Sequence, residues 1–311
     1  MHRPVRALVL VPLLLAVTAC GGNPAPPTLA DELAEYAGTV TTAITGLQDA
    51  LDRRYDTLPQ LYVQIIDMRL PVTVAVALDK AARVPTTTES RAALDRYLEY
   101  GDEVLAALAD LDAAIAAQQV EAASMAASRI DAAAGLVAID LGADLCVLAA
   151  PPSVHDLCHR PTPTDQYESD LQAAVLGFVA EYRPLLRLPA AFGDVVRGAV
   201  LTEVAPQVVE LLDTVAAQID DLTPDQPHMV MQQALVDFVG DTRARWAAVD
   251  PDQVDLLMAQ FLLADLRDVT CDHLEPLNAA RSLLLGAVPD SAIPATLAIF
   301  FDDPDTGCVD R

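Results

Sequence analysis

From Thr28 onward the apolar residues of this chain recur every three or four positions, segment after segment. That spacing puts them on one face of a helix and predicts an all-helical chain. Thr28 to about Arg54 carries Leu33, Tyr36, Val40, Ile44, Leu47 and Leu51, with Thr28 and Asp31 placed as a capping box. Leu58 to about Arg83 continues with Leu61, Ile65, Met68, Val72 and Val76, and Pro71 is expected to kink or divide it. After the turn Pro85-Thr86-Thr87-Thr88, Thr88 or a neighbour caps a long helix striped by Leu94, Tyr97, Leu98, Gly101, Leu105, Leu108 and Ile115. An Ala-rich segment from Val120 to Leu148 follows, with Met125, Ile130 and Val137.

Residues 149–164 break the rhythm with Pro151, Pro152, Pro161 and Pro163, and form the best candidate boundary. Beyond them Tyr167, Leu171, Phe178 and Tyr182 mark a helix expected to end near Pro184. Two more are expected, split by Pro206, and then Thr223 as N-cap with Pro224 at the first position of the next. That helix carries Leu235, Phe238 and Trp246; Asp250-Pro251 repeats the device before Val254, Leu257, Met258, Phe261 and Leu262. Leu277 to Leu285 reads as helix, while Ile293 to Phe301 fits helix or strand equally. The expected architecture is an all-α helical bundle of about eight helices with two disulfides. It is either one continuous bundle or two tandem bundle-like halves, 28–148 and 165–311, each opening on a Thr-capped helix with a Tyr (Thr28 with Tyr36, Thr164 with Tyr167) and each ending in a Cys pair.

The first twenty-seven residues follow another pattern. Arg3 and Arg6 precede a short apolar run from Ala7 to Ala16, then Val17, Thr18, Ala19 and Cys20. A charged start, a short apolar run and small residues before a cut is the layout of a secretory signal peptide, and the run is too short to span a bilayer. Val17-Thr18-Ala19-Cys20 resembles the lipobox of bacterial lipoproteins. The resemblance covers only this segment. It implies a signal peptide over 1–19, a diacylglycerol thioether on Cys20 as mature N-terminus, with or without N-acylation, and a place on the extracytoplasmic face of the cell membrane. Two acyl chains suffice for stable anchoring where one does not. Gly21 to Pro27 then reads as a short tether, completing a 20–27 linker.

The chain holds 19 basic and 45 acidic residues, a net charge of −26; residues 1–19 contain two of the former and none of the latter, so the remainder stands at −28. Such a surface argues against nucleic acid, which is held by Lys and Arg on phosphates, and against broad docking on anionic headgroups. Membrane contact is therefore expected through the lipid on Cys20. With 53% hydrophobic residues the chain can bury a substantial core. Once Cys20 is set aside, Cys146, Cys158, Cys271 and Cys308 remain, an even number in an exported chain. Of three possible pairings, Cys146–Cys158 and Cys271–Cys308 are favoured, because each closes a loop after a helical stretch.

Candidate chemistry is sparse. His155, Cys158 and His159 lie close enough in sequence for zinc, but an exported Cys with a partner is ordinarily oxidised, so His155 and His159 are weak metal candidates only. No Glu-x-x-His pair occurs, and His273 and Glu275 are too close for one helix face. The tail with Asp302, Asp303, Asp305 and Asp310 lacks the spacing of a calcium loop. Nucleophile elbows and phosphate loops are missing too. No cofactor is implied. The balance falls on a non-enzymatic binding or scaffold protein of the envelope, with a protein partner or small ligand. The alternatives are a carrier holding an apolar ligand or lipid between helices, and a metal protein or hydrolase using His155, His159 or His273.

Overall fold

A computed structural model describes residues 28–52, 68–141, 143–191, 194–250 and 271–301, with the isolated positions 60, 63 and 268. Eleven α-helices, and no strand, occur among the described residues: α1 (Leu29–Asp52), α2 (Leu70–Ala81), α3 (Thr88–Ala116), α4 (Val120–Asp140), α5 (Ala143–Ala149), α6 (His155–Cys158), α7 (Gln166–Ala191), α8 (Asp194–Asp220), α9 (Met229–Ala247), α10 (Leu274–Ala287) and α11 (Ile293–Phe301). The all-α expectation holds, and the ambiguous Ile293–Phe301 is helix.

The caps explain where the early helices begin. Asp31 Oδ2 accepts from the Thr28 backbone N–H at 2.9 Å, and Thr28 Oγ1 accepts from Asp31 N–H at 3.2 Å, the expected reciprocal pair. Thr87, not Thr88, caps α3, exchanging bonds with Ser90. α7 is capped by Asp165, whose carboxylate accepts from Glu168 N–H at 2.9 Å, so the expected Thr164 cap gives way to its neighbour.

Prolines act less uniformly than the sequence suggests. Pro71 sits in the first turn of α2, where its missing N–H is harmless, behind Arg69 in the left-handed region at φ 50°. A new helix therefore starts there, and a stripe counted through the break lands out of register. Val72 and Val76, expected inside, are 66% and 51% exposed, while Leu70, Val74, Ala77, Leu78 and Ala81 are buried. The helix expected to end near Pro184 runs on to Ala191, and α8 passes unbroken through Pro206. In α8 the buried row Leu201, Val204, Val208, Leu212, Val215 and Ile219 lies on both sides of the proline, and this packing outweighs its cost of roughly 3 kcal/mol. Thr223-Pro224 does not start a helix. Pro227 follows within a turn closed by His228 N–H and Met229 N–H on the Asp225 carbonyl, and α9 begins only at Met229. Asp250-Pro251, with the helix expected after it, lies largely outside the described residues.

α4 is the axis of the packing. It lies against α3 on one side and against α7 and α8 on the other, joining the N-terminal and C-terminal helices in one core. Small residues permit this: Ala123, Ala126, Ala127, Ala133, Ala134 and Ala138 are buried, and a Cβ on Gly135 would stand 2.7 Å from Ala180 Cβ and 3.0 Å from Ala180 Cα of α7. The stretch Ala122–Asp140 is long and apolar enough to cross a membrane, yet 61% of it is buried inside the protein, as in a core helix. α1 pairs with α2 and α5, and α2 with α3; α9 packs on α8 and α10, and α11 on α7. Phe178 and Tyr182 of α7, Phe238 and Trp246 of α9, and Phe300 form one aromatic core, with Trp246 Nε1 donating to Tyr182 at 3.2 Å. Trp246 is thus a packing residue, as its place on an apolar stripe predicts.

Candidate functional site

Cys146 and Cys158 are joined, their Cα atoms 5.6 Å apart, and both are buried. The bridge closes the 149–164 segment, which is no plain loop: a 3₁₀ turn at Pro152–Val154 runs into α6. The buried Arg183 of α7 holds it down, donating to Asp156 at 2.7 Å and to the carbonyl of Ile299 in α11. Cys271 is also disulfide-bonded. Cys20, Cys308 and the acidic tail lie outside the described residues.

The histidines singled out in the sequence do not converge. His155 Nε2 lies 2.9 Å from the Ala150 carbonyl inside its own loop, His159 is exposed, and Cys158 is consumed by the bridge. His273 pairs with Asp241 at 3.1 Å and sets its ring edge-on to Phe238. No cluster of three or more His, Cys, Asp or Glu side chains fit for a metal occurs among the described residues.

The most concentrated polar geometry lies elsewhere. Glu168, in the first turn of α7, is fully buried. Its Oε2 accepts from Thr164 N–H at 2.8 Å, Thr164 Oγ1 at 2.7 Å and Ala292 N–H at 3.2 Å, and its Oε1 faces His228 Nε2 at 3.3 Å. His228, 2% exposed, turns Nδ1 to Asp225 and sets its ring tilted against that of Tyr167, the centroids 4.8 Å apart. Tyr167 in turn donates to Gln232 at 2.9 Å, and Gln232 to the Ile219 carbonyl. Glu168 thus stands where the N-terminal ends of α7, α9 and α11 meet, each a source of unpaired N–H groups and positive dipole. Burial pushes its carboxyl pKa up, but hydrogen bonds from the Ser291 hydroxyl, from Thr164 backbone and side chain, and from Ala292 N–H outweigh it and hold the value at about 2. Burial, then the charges of Asp225, Asp165 and Glu168, push Tyr167 well above the ordinary phenol value. With Glu168 and His228 buried at its centre and Thr164 and Asp225 at its exposed rim, this node is a clamp on three helix ends. Asp-x-x-Glu at 165–168 was a readable capping signal; nothing in the sequence points to His228.

Four shallow concave features lie among the described residues. A groove of about 640 Å³ between α1 and α2 is the most apolar of these, lined by Gly38, Ala43, Gly46, Met68 and Leu70 with Glu35 and three threonines, Thr39, Thr42 and Thr73. Others lie along α10 near Cys271, along α8 near Glu210 and Asp213, and between α3 and α4 near Glu99 and Arg129. Each of these four is lined from one half of the chain only, so none is the inter-half cavity a carrier of that kind requires. No protein-family model, curated protein or solved structure matches this chain.

Proposed function

We propose that this protein is a bacterial lipoprotein: a helical bundle held on the extracytoplasmic face of the cell membrane by lipid on Cys20, acting there as a non-enzymatic binding or scaffold protein. The observation that carries this reading is the N-terminal segment ending Val17-Thr18-Ala19-Cys20. The Cys146–Cys158 bridge supports it, since disulfides persist outside the reducing cytoplasm. Cys271 and Cys308 form the second bridge in this reading, leaving Cys20 the odd cysteine and so the one available to lipid. The non-enzymatic part is supported by the way the polar side chains are spent: His155, His228 and His273 each satisfy a carbonyl or carboxylate within the fold. Changing Cys20→Ser in cells producing the full chain is expected to release the protein from the membrane fraction or to accumulate the uncut precursor. Unchanged processing and unchanged retention would refute the anchor.

A further inference from the structure

α1 and α2 form an antiparallel pair, as two contacts fix. At one end a Cβ on Gly46 would stand 3.9 Å from Met68 Sδ; at the other, Lys80 Nζ lies 6.0 Å over the Tyr36 ring. The apolar groove runs between the two helices, and beside it α2 turns Val72, Ala75 and Val76 to the outside, one helical face at spacings of three and four. Cations flank that face: Arg69 before it, Lys80 and Arg83 after it, all exposed, with Asp79 paired to Arg83 at 2.6 Å. In a chain of net charge −26, residues 68–84 carry three basic residues and one acid. Glu35 of α1 lines the groove, and α1 carries Asp31, Glu32, Asp49 and Asp52 besides, so the cations of the pair are gathered on the α2 side. An apolar centre with long cationic side chains at its margins is the composition of a helix lying in a bilayer interface.

The position of this face matters as much as its composition. Thr28 caps α1, and the stretch from Cys20 to Thr28 spans at most ~28 Å when fully extended. The Tyr36–Lys80 end of the pair lies ~12 Å along α1 from that attachment point.

We propose that the outer face of α1 and α2 is a bilayer-contact surface. Val72, Ala75 and Val76 enter the interfacial layer of the leaflet that holds the anchor. Lys80 and Arg83 reach toward its headgroups, and the groove receives an acyl chain of a neighbouring phospholipid. The inference rests on the lipid anchor proposed above, which brings the face to the membrane.

The test uses the full-length lipidated protein reconstituted in phosphatidylcholine vesicles whose acyl chains are brominated, a quencher of Trp emission at close range. Val72→Trp is compared with Val230→Trp, an exposed site on α9 (51% against 66% for Val72), against the constant background of the buried Trp246. Emission from the Val72→Trp protein should fall about twofold relative to non-brominated vesicles, while that of Val230→Trp should match the unsubstituted protein. Protein that floats with the vesicles but shows equal quenching at both positions overturns this inference and leaves the anchor standing. Protein that does not float overturns the anchor and the inference with it.

Discussion

Replacing Glu168 by Gln keeps the outline of the side chain at the meeting of three helix ends, removes its charge and puts an amide donor where one carboxylate oxygen stood. The carboxyl is held at about 2 against an ordinary 4.5, a gap of roughly 2.5 units. At about 1.4 kcal/mol per unit, that makes ionised Glu168 worth about 3 kcal/mol to the folded state at neutral pH. Because the folded value is the lower one, this contribution is complete above about pH 5. It fades as pH falls through the interval to 2, and only about 1 kcal/mol survives at pH 3. Other carboxyls that the fold shifts, Asp31 and Asp213 downward and Glu181 upward, also shape the acid response, so the wild-type curve alone is uninformative. The difference between wild type and Glu168→Gln isolates this one group. Denaturant unfolding followed by circular dichroism should put the variant about 3 kcal/mol below wild type at pH 7, with the gap closing to about 1 kcal/mol at pH 3. A gap under about 0.5 kcal/mol at pH 7 would show that the hydrogen bonds do not favour the ionised form. An equal gap at both pH values would show that the loss comes from the amide donor placed at this site and not from the missing charge.

Two further predictions concern packing. Gly135→Ala gains up to about 1 kcal/mol of helix propensity but drives a methyl into Ala180, so a net loss of about 1–2 kcal/mol is expected. Ala180→Gly in the same chain should restore much of it, as coupling in a double-mutant cycle. Tyr97 is fully buried in α3 and its hydroxyl has no hydrogen-bond partner. Tyr97→Phe should therefore stabilise the protein by about 1 kcal/mol, read as a rise of about 2–4 °C in the thermal midpoint. A lower midpoint would mean the hydroxyl is satisfied after all.

Periodicity was a sound guide wherever one helix runs uninterrupted. Leu33, Val40, Ile44 and Leu47 in α1, and Leu94, Tyr97, Leu108 and Ile115 in α3, are all buried as their spacing requires. It failed at prolines, and in both directions. Pro71 starts a helix and so resets the phase, turning Val72 and Val76 outward; Pro184 and Pro206 sit inside helices because residues on both sides pack into a common core. Whether a proline breaks a helix is decided by what the flanking faces can bury, which one-dimensional spacing does not contain. The Cys146–Cys158 bridge was legible because a short loop between two cysteines has few geometric solutions. The Glu168 node was not. Its members Thr164, Glu168, His228 and Ala292 are brought together by tertiary packing, and a capping signal at 165–168 reveals one corner of it only.

The polar ties of α11 carry a consequence for the time course of folding. Ala292 N–H to Glu168, Thr296 to Gln172 and the Ile299 carbonyl to Arg183 each link positions more than a hundred residues apart. Contacts so distant along the chain form late, because the loop they close must first be held together by other packing. α11 is therefore expected to dock onto helices already assembled, and bonds made after the rate-limiting step slow unfolding without hastening folding. Weakening any of these ties is expected to speed unfolding more than it slows folding, which makes this nine-residue helix, tied at two points along its length and once just before its first residue, a latch on the native state.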